Sequence, residues 1–399
     1  MKKVYIVGTC DTKYPELKYV QELITAAGVP TVLVDVGILA HSNPVDVTNK
    51  EVAAAHPVKP DFLANIKDRG EAVITMSEAL EMFLPGRTDL GGIISMGGSG
   101  GTSLATRGMR SLPIGTPKLM VSTVASGDVA PYVGPNDICM MYSVADIAGL
   151  NPITRAVLGN AAHAIAGMVA WPIPEVKESR PLLGVTMFGV TTPCVDQLRK
   201  ILGEDYEPLV FHATGTGGQS LEKLIDSGMV KHVIDATTTE ICDLLMGGVF
   251  SAGEDRLGSI IRTQIPYVGS VGALDMVNFG AKETVPPQFR DRKLHVHNAN
   301  VTLMRTTAEE NRRMGLWIAA KLNQCQGPVR FLLPEKGVSM IDAPGMPFHD
   351  PEADAALFAA LEEALIQTDR RRLIKLPYHI NDPGFSKALA DNFKEITIH

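Results

Sequence analysis

Two glycine-rich stretches hold the residue types from which anion sites are built. Gly97-Gly98-Ser99-Gly100-Gly101-Thr102 follows the apolar run Gly92 to Met96 and opens a helix-like segment. Gly215-Thr216-Gly217-Gly218-Gln219-Ser220 follows Pro208 to His212 and opens another. From Gly98 to Leu104 and from Gly215 to Leu221 both read G-x-G-G-x-S-L, an echo that points to two related halves. The first amides of a helix have no internal partner, and the helix dipole adds partial positive charge there. Glycine lets the backbone approach a phosphate oxygen without a Cβ in the way. Ser99 and Thr102 could add hydroxyl donors. The first loop is neither a Walker loop nor a full dinucleotide fingerprint, because no Gly-Lys-Ser/Thr occurs and Ser103 stands where the third glycine belongs. A tight, closely packed strand-to-helix turn would explain one such loop equally well.

Neighbouring segments shift that balance. Gly8-Thr9-Cys10-Asp11-Thr12-Lys13 lies between the first apolar run and the first helical pattern. In a doubly wound sheet, the carboxyl ends of the strands form the ligand crevice. Lys13 could neutralise a phosphate there, and Asp11 could hold Mg²⁺ directly or through water. Asp35 ends the second apolar run, where an acid commonly binds ribose hydroxyls. Thr123-Val124-Ala125-Ser126-Gly127 is a third small, hydroxyl-rich loop after a strand. Gly8, Thr9, Thr12, Thr123, Ser126 and Gly127 thus join the first glycine loop as candidate nucleotide contacts.

The second half offers different groups. Asp235-Ala236-Thr237-Thr238-Thr239-Glu240 reads as a helix cap. Glu254, in the polar run after Gly253, is a candidate acid/base, with a surface role at least as good. His295 and His297 flank Val296; in an extended strand they share a face and could share a metal or an anion. No third ligand stands at a recognisable spacing, and two hydrogen-bonded histidines at a strand end is the simpler reading. His212, Gly215, Thr216, Gly217, Gly218 and Ser220 are candidate contacts for a second, small anionic ligand. No Gly-x-Ser-x-Gly elbow, HExxH motif or cysteine in a catalytic context occurs.

The elements that must position these groups alternate. Apolar runs at Val4 to Val7, Thr31 to Val36, Gly92 to Met96, Lys118 to Thr123 and Ile138 to Ser143 are separated by helical patterns over 15–27, 60–84 and 152–170. Trp171 to Pro181 holds three prolines and four charges among eleven residues and reads as a linker. The alternation then restarts, ending in helices over 308–323, 351–366 and 384–394. The expected fold is α/β, with two Rossmann-like doubly wound domains, mainly parallel sheets and an interdomain cleft: 1–175 for the nucleotide, 176–399 beyond it. The length of 399 residues supports two such domains. Asp and Glu outnumber Lys and Arg by 44 to 37, which argues against nucleic acid as a partner. No run of 18 apolar residues appears and the first apolar run is too short for a signal peptide, so no membrane partner and a cytoplasmic location are expected. The five cysteines form no CxxC pair and one must stay unpaired, which fits a reducing compartment.

The chain as a whole resembles a known family: the ATP-binding family named after the N-terminal domain of the tomato mosaic virus resistance protein. The matching stretches include GTCDTKYPEL at 8–17, SMGGSGGTSLAT at 95–106, STVASGDVAPYVGPNDI at 122–138 and HATGTGGQSLEKLI at 212–225. They continue with DATTTEICDLLMGGVFSAGEDRL at 235–257, HVHNANVTLMRTT at 295–307, PGMPFHDPEADAALF at 344–358 and HINDPGF at 379–385. The resemblance covers nearly all of the chain. It implies two Rossmann-like subdomains, a homodimer, and ATP with Mg²⁺ in the first subdomain. The plant protein's antiviral activity goes with a further barrel-like domain and is not expected here. The reaction stays open: phosphoryl transfer or ligation driven by ATP, an ATP-responsive binding module, or an ATP-independent hydrolase or lyase.

Overall fold

The computed structural model describes residues 2–66, 68–174 and 180–397. The chain divides into two compact units, 1–175 and 176–399. Of the expected linker at 171–181, positions 175–179 lie outside the described residues.

The first unit runs β1 (Lys3–Gly8), α1 (Tyr14–Ala26), β2 (Thr31–Asp35), α2 (Asn49–Ala53), α3 (Arg69–Phe83), β3 (Leu90–Gly97), α4 (Ser99–Arg110), β4 (Lys118–Ser122), α5 (Ala130–Val133), β5 (Cys139–Tyr142) and α6 (Pro152–Ala170). Its strands are all parallel, in the order β2-β1-β3-β4-β5. Both faces are covered, so strands lack polar alternation. Val4 and Ile6 pack with Leu17, Val20 and Ile24 of α1 and Leu158 and Ile165 of α6. Tyr5 and Val7 point the other way, into a core with Met76 and Leu80 of α3 and Leu104 and Met109 of α4. The helix expected over 60–84 is shorter. A 3₁₀ turn takes Phe62–Asn65, and α3 starts afresh where the Asp68 carboxylate accepts from the Glu71 amide at 2.7 Å.

The second unit runs β6 (Leu182–Met187), α7 (Thr192–Leu202), β7 (Glu207–His212), α8 (Thr216–Asp226), β8 (His232–Thr237), α9 (Glu240–Met246), α10 (Gly258–Thr263), β9 (Tyr267–Gly272), β10 (Met276–Phe279), β11 (Leu294–Asn298), β12 (Val301–Arg305), α11 (Ala308–Leu322), β13 (Val329–Pro334), α12 (Pro351–Ala364), β14 (Arg371–Leu376) and α13 (Pro383–Thr397). Six parallel strands order as β14-β13-β9-β8-β6-β7. Between β9 and α11 the chain inserts a small antiparallel sheet, β10-β12-β11, which sequence reading did not anticipate.

The two units do repeat an order. The first unit's β2-β1-β3-β4-β5 recurs as β7-β6-β8-β9-β13 in the second. The G-x-G-G-x-S-L echo does not mark equivalent places within it. The first copy follows the third strand of its unit, and the second follows β7, the second strand and an edge of its sheet. The echo reflects a shared turn requirement.

Asp243 of α9 fastens the inserted sheet. Its carboxylate accepts from the Asn278 amide at 2.7 Å and the Phe250 amide at 2.8 Å. Burial pushes its carboxyl from 3.8 up to about 7. The unfolded chain therefore loses this proton at lower pH than the folded chain does. This group should make stability fall as pH rises from about 4 to 7, by up to about 4 kcal/mol. Asp243→Asn is expected to remove that part of the slope in denaturant midpoints measured across this range, whatever its effect on absolute stability.

Candidate functional site

In the first sheet the strand order reverses between β1 and β3, and ligands of open α/β sheets bind at the carboxyl ends of strands at such a switch. A pocket of about 590 Å³ lies there. Its polar side is built from the loop after β1 (Gly8, Thr9, Asp11, Thr12, Lys13) and the turn after β3 (Gly97, Gly98, Gly100, Gly101). Its apolar side is Val36, Ile38 and Leu39 after β2, Val73 and Ile74 of α3, and Leu104 and Ala105 of α4. The size and the mixture of an apolar wall with a few convergent polar groups suit a small-molecule site.

The amides at the start of α4 give the pocket its electrostatic character. Gly98 caps the helix with no side-chain bond to it, and among the described residues no acceptor meets the amides of 98–101. A Cβ on Gly100 would meet nothing within 4 Å, and one on Gly98 only the Thr123 hydroxyl at 3.7 Å. The backbone is thus open to an incoming anion.

Several expected contacts take other partners. Asp35 is buried, and its carboxylate is already engaged by the Cys10 amide at 3.0 Å, the Gly37 amide at 2.8 Å and His41 Nε2 at 2.8 Å. It holds the β1 and β2 loops together and does not line the pocket. The Thr102 hydroxyl is turned inward, 2.8 Å from the Gly98 carbonyl and 2.6 Å from Ser122 Oγ. Ser99 is exposed, Thr123 donates its amide to the Gly97 carbonyl, and Ser126 and Gly127 lie in an exposed turn. None of these four is among the residues lining the pocket. Lys13 lines it, yet its ammonium donates to the Ile147 carbonyl. Thr9 and Thr12 share a hydroxyl contact of 2.8 Å.

Two features were hidden from the sequence. Arg69, the first residue of α3, lines the pocket, and among the described residues it has no ion pair. A cation at a helix N-terminus opposes the helix dipole, so its position there needs another reason. Asp11 accepts the Leu39 amide on Oδ2 at 3.1 Å, while its buried Oδ1 has no partner. One carboxylate with a spare oxygen, beside a phosphate-type loop, suits Mg²⁺, which keeps most of its waters and takes few protein ligands. The described residues hold no cluster of three or more His, Cys, Asp or Glu that would form a protein-only metal cage.

The second glycine loop has a different fate. Glu240 Oε1 accepts from the Gly215 amide at 2.8 Å and the Gly218 amide at 3.0 Å. The expected external anion is here a side chain of the protein. Glu240 is in turn held by Arg256 Nε at 2.9 Å, and the same buried guanidinium reaches Asp235 at 2.7 Å and Glu222 at 3.3 Å. Burial pushes the Glu240 carboxyl up, against the pull of Arg256 and the two amides. Gly217 is packed on the His212 carbonyl, which a Cβ would meet at 1.8 Å. Ser220 donates to the Thr216 carbonyl, and the exposed His212 ring lies 5.3 Å from Phe188. Within the run 253–256, the buried Arg256 carries the charge network, while Glu254 is exposed and offers only its carbonyl to Lys321.

His295 and His297 do fall on a strand, β11, but not in regular pairing. The register with β12 shifts between Val296 and Asn298, leaving His297 as the extra residue of a bulge. His295 packs edge-on to Phe348 at 6.2 Å, and His297 is exposed. Among the described residues no hydrogen bond or ion pair joins Glu254, His295 and His297.

Fold and pocket together define a doubly wound α/β protein with an anion-ready switch-point site in its N-terminal unit. The model of the Uncharacterised protein family (UPF0261) N-terminal domain matches residues 2–173, and that of its C-terminal domain matches residues 180–397. The chain belongs to the UPF0261 family. It is 56% identical to a UPF0261 protein of Rhizobium meliloti over 99% of both chains, and 54% identical to one of Mesorhizobium japonicum over 100% of both. It is also 44% identical to the ToMV resistance protein Tm-1 of Solanum lycopersicum, with 99% of this chain covering 56% of that protein. No described helix is long and apolar enough to cross a membrane.

The two loops make opposite demands on a methyl group. Gly100→Ala should change stability by no more than about 1 kcal/mol. Gly218→Ala places a Cβ 2.2 Å from Glu240 Oε2 and should cost about 3 kcal/mol. Urea midpoints of the two variants, measured against the parent chain, check the contrast.

Proposed function

We propose that the N-terminal unit binds a nucleotide, with ATP and Mg²⁺ as the leading ligand. The observation that carries this reading is the unpartnered start of α4 opening into a pocket with an apolar wall. A phosphate group answers the open amides of 98–101. Arg69, which lines the pocket, would supply the cation for a terminal phosphate, while Lys13, held to the Ile147 carbonyl, would lend its charge from there. Asp11 Oδ1 is the protein oxygen available to Mg²⁺, and the metal would neutralise phosphate charge. The base would lie against Val36, Ile38, Val73 and Leu104. The buried, engaged Asp35 is left out of this reading, so ribose selection rests on the backbone and on Thr9 and Thr12.

Titration calorimetry of the full chain with ATP, with and without Mg²⁺, and with AMP and inorganic phosphate, tests it. Tight, Mg²⁺-dependent ATP binding with weak binding of phosphate is the expected result. Arg69→Ala should weaken ATP by roughly tenfold or more while moving AMP much less, because it removes a contact to the outer phosphates. Equal affinity for ATP and free phosphate would sink the nucleotide reading.

A further inference from the structure

A second pocket, of about 630 Å³, lies in the C-terminal unit beyond the carboxyl ends of β13 and β14. It is lined on its apolar side by Pro344, Pro351 and Phe358, and its polar lining includes Lys336, His349 and His379. The two histidines are not alike. His379 has both ring nitrogens occupied: Nε2 donates to the Ser339 carbonyl at 2.9 Å, and Nδ1 accepts the Asn381 amide at 3.1 Å. It is a fixed wall. The His349 ring is half-buried, and its buried Nδ1 has no hydrogen-bond partner. Facing it at 3.9 Å is Oδ1 of Asp342, a fully buried carboxylate oxygen that no N–H donor reaches, although the raised Asp354 carboxyl shares a side-chain hydrogen bond with the same group. The other Asp342 oxygen is held by the Val338 amide at 2.9 Å, which fixes the group behind the ring. His349 Nε2 is not among the buried atoms and has no protein partner among the described residues.

Acidic groups crowd the back of the pocket. Asp275, Asp342 and Asp354 are buried around a single guanidinium, Arg305, which lies 2.8 Å from Asp354 and 3.7 Å from Asp342. Burial and mutual repulsion raise the Asp275 and Asp354 carboxyls. The cluster sets three carboxyls against one guanidinium, and protons held on Asp275 and Asp354 relieve part of that excess. At the mouth, Lys375 is tied to Glu335 at 3.5 Å and Glu362 at 3.1 Å. Lys336 is exposed and has no ion pair among the described residues.

We propose that this pocket is a second ligand site, in which His349, positioned by Asp342, accepts a proton from a small anionic molecule held at Lys336. A ligand O–H bond breaks, its electron pair stays on that oxygen, and the proton goes to His349 Nε2. Nδ1 keeps its hydrogen, and as the site fills the ring closes the 3.9 Å gap by about 1 Å so that Nδ1–H donates to Asp342 Oδ1, as such contacts commonly tighten on substrate binding. His349 touches the ligand; Asp342 acts only through His349.

The tautomer decides the matter. In a long-range ¹H–¹⁵N spectrum of the full chain labelled at histidine, at alkaline pH, His349 is expected as the Nδ1–H form. His379 serves as the internal standard, locked as Nε2–H by Ser339. Finding His349 as Nε2–H overturns the proposal. Asp342→Asn should return His349 to Nε2–H and leave His379 unmoved; an unchanged His349 would remove Asp342 from the role. If that variant does not fold, the parent spectrum still decides. Inorganic phosphate and acetate, titrated separately, distinguish a phosphoryl from a carboxylate ligand. One of them should shift His349 Nε2 saturably, and Lys336→Ala should weaken that binding by roughly tenfold. No saturable shift with either, or equal affinity in Lys336→Ala, overturns the anion assignment.

Discussion

A helix that begins at the carboxyl end of a parallel strand leaves its first amides unpaired and pointing the same way. Both units contain such a turn, and much of the polar architecture follows from how each one answers it. In the second unit the answer is internal. Glu240 crosses from the start of α9 to the start of α8 and binds the Gly215 and Gly218 amides. That carboxylate must then be tolerated in the interior. Arg256 pairs with it and also with Asp235 and Glu222, the Tyr267 hydroxyl donates to Asp235, and the Leu257 and Ser259 amides donate to Glu222. One helix start has drawn a whole network out of solvent. A buried pair of this kind is weak evidence for stability in itself, but removing one partner strands the rest.

In the first unit no described residue gives the corresponding answer. The amides of 98–101 open into a pocket with an apolar wall, and Arg69, which has no ion pair among the described residues, sits where the helix dipole disfavours it. A site that departs from local electrostatic preference without an internal gain is the kind of place where function is expected. The contrast between the loops is therefore more informative than their similarity. The same seven-residue phrase is closed by a carboxylate in one unit and left open in the other.

Much of the architecture could be read from apolar periodicity alone. β1, β3, β6 and β13 are predominantly apolar without polar alternation because helices cover both faces of each sheet, and that pattern survives in one dimension. The inserted antiparallel sheet could not be read the same way. β10 to β12 are four or five residues each, and their pairing depends on Asp243 holding Asn278, thirty-five positions away. The helix expected from 60 failed for a local reason: Asp68 caps a new start, and a single acid among several polar residues does not announce that it will do so.

The sequence by itself determined where helices begin after strands and which turns are too glycine-rich to be ordinary. It thereby marked both anion-type loops and the Asp11 to Lys13 segment, because the constraint on those residues is local: backbone amides, absent Cβ atoms and neighbours within a few positions. Tertiary structure decided what each loop does. Asp35 looked available and is used up by Cys10, Gly37 and His41; Lys13 looked free and is tied to Ile147. Arg69 and His349 looked ordinary. Each acquired its meaning from a neighbour far along the chain or on another element. A charge's worth depends on its partners and on the water it has lost, and both are set only when distant segments pack together.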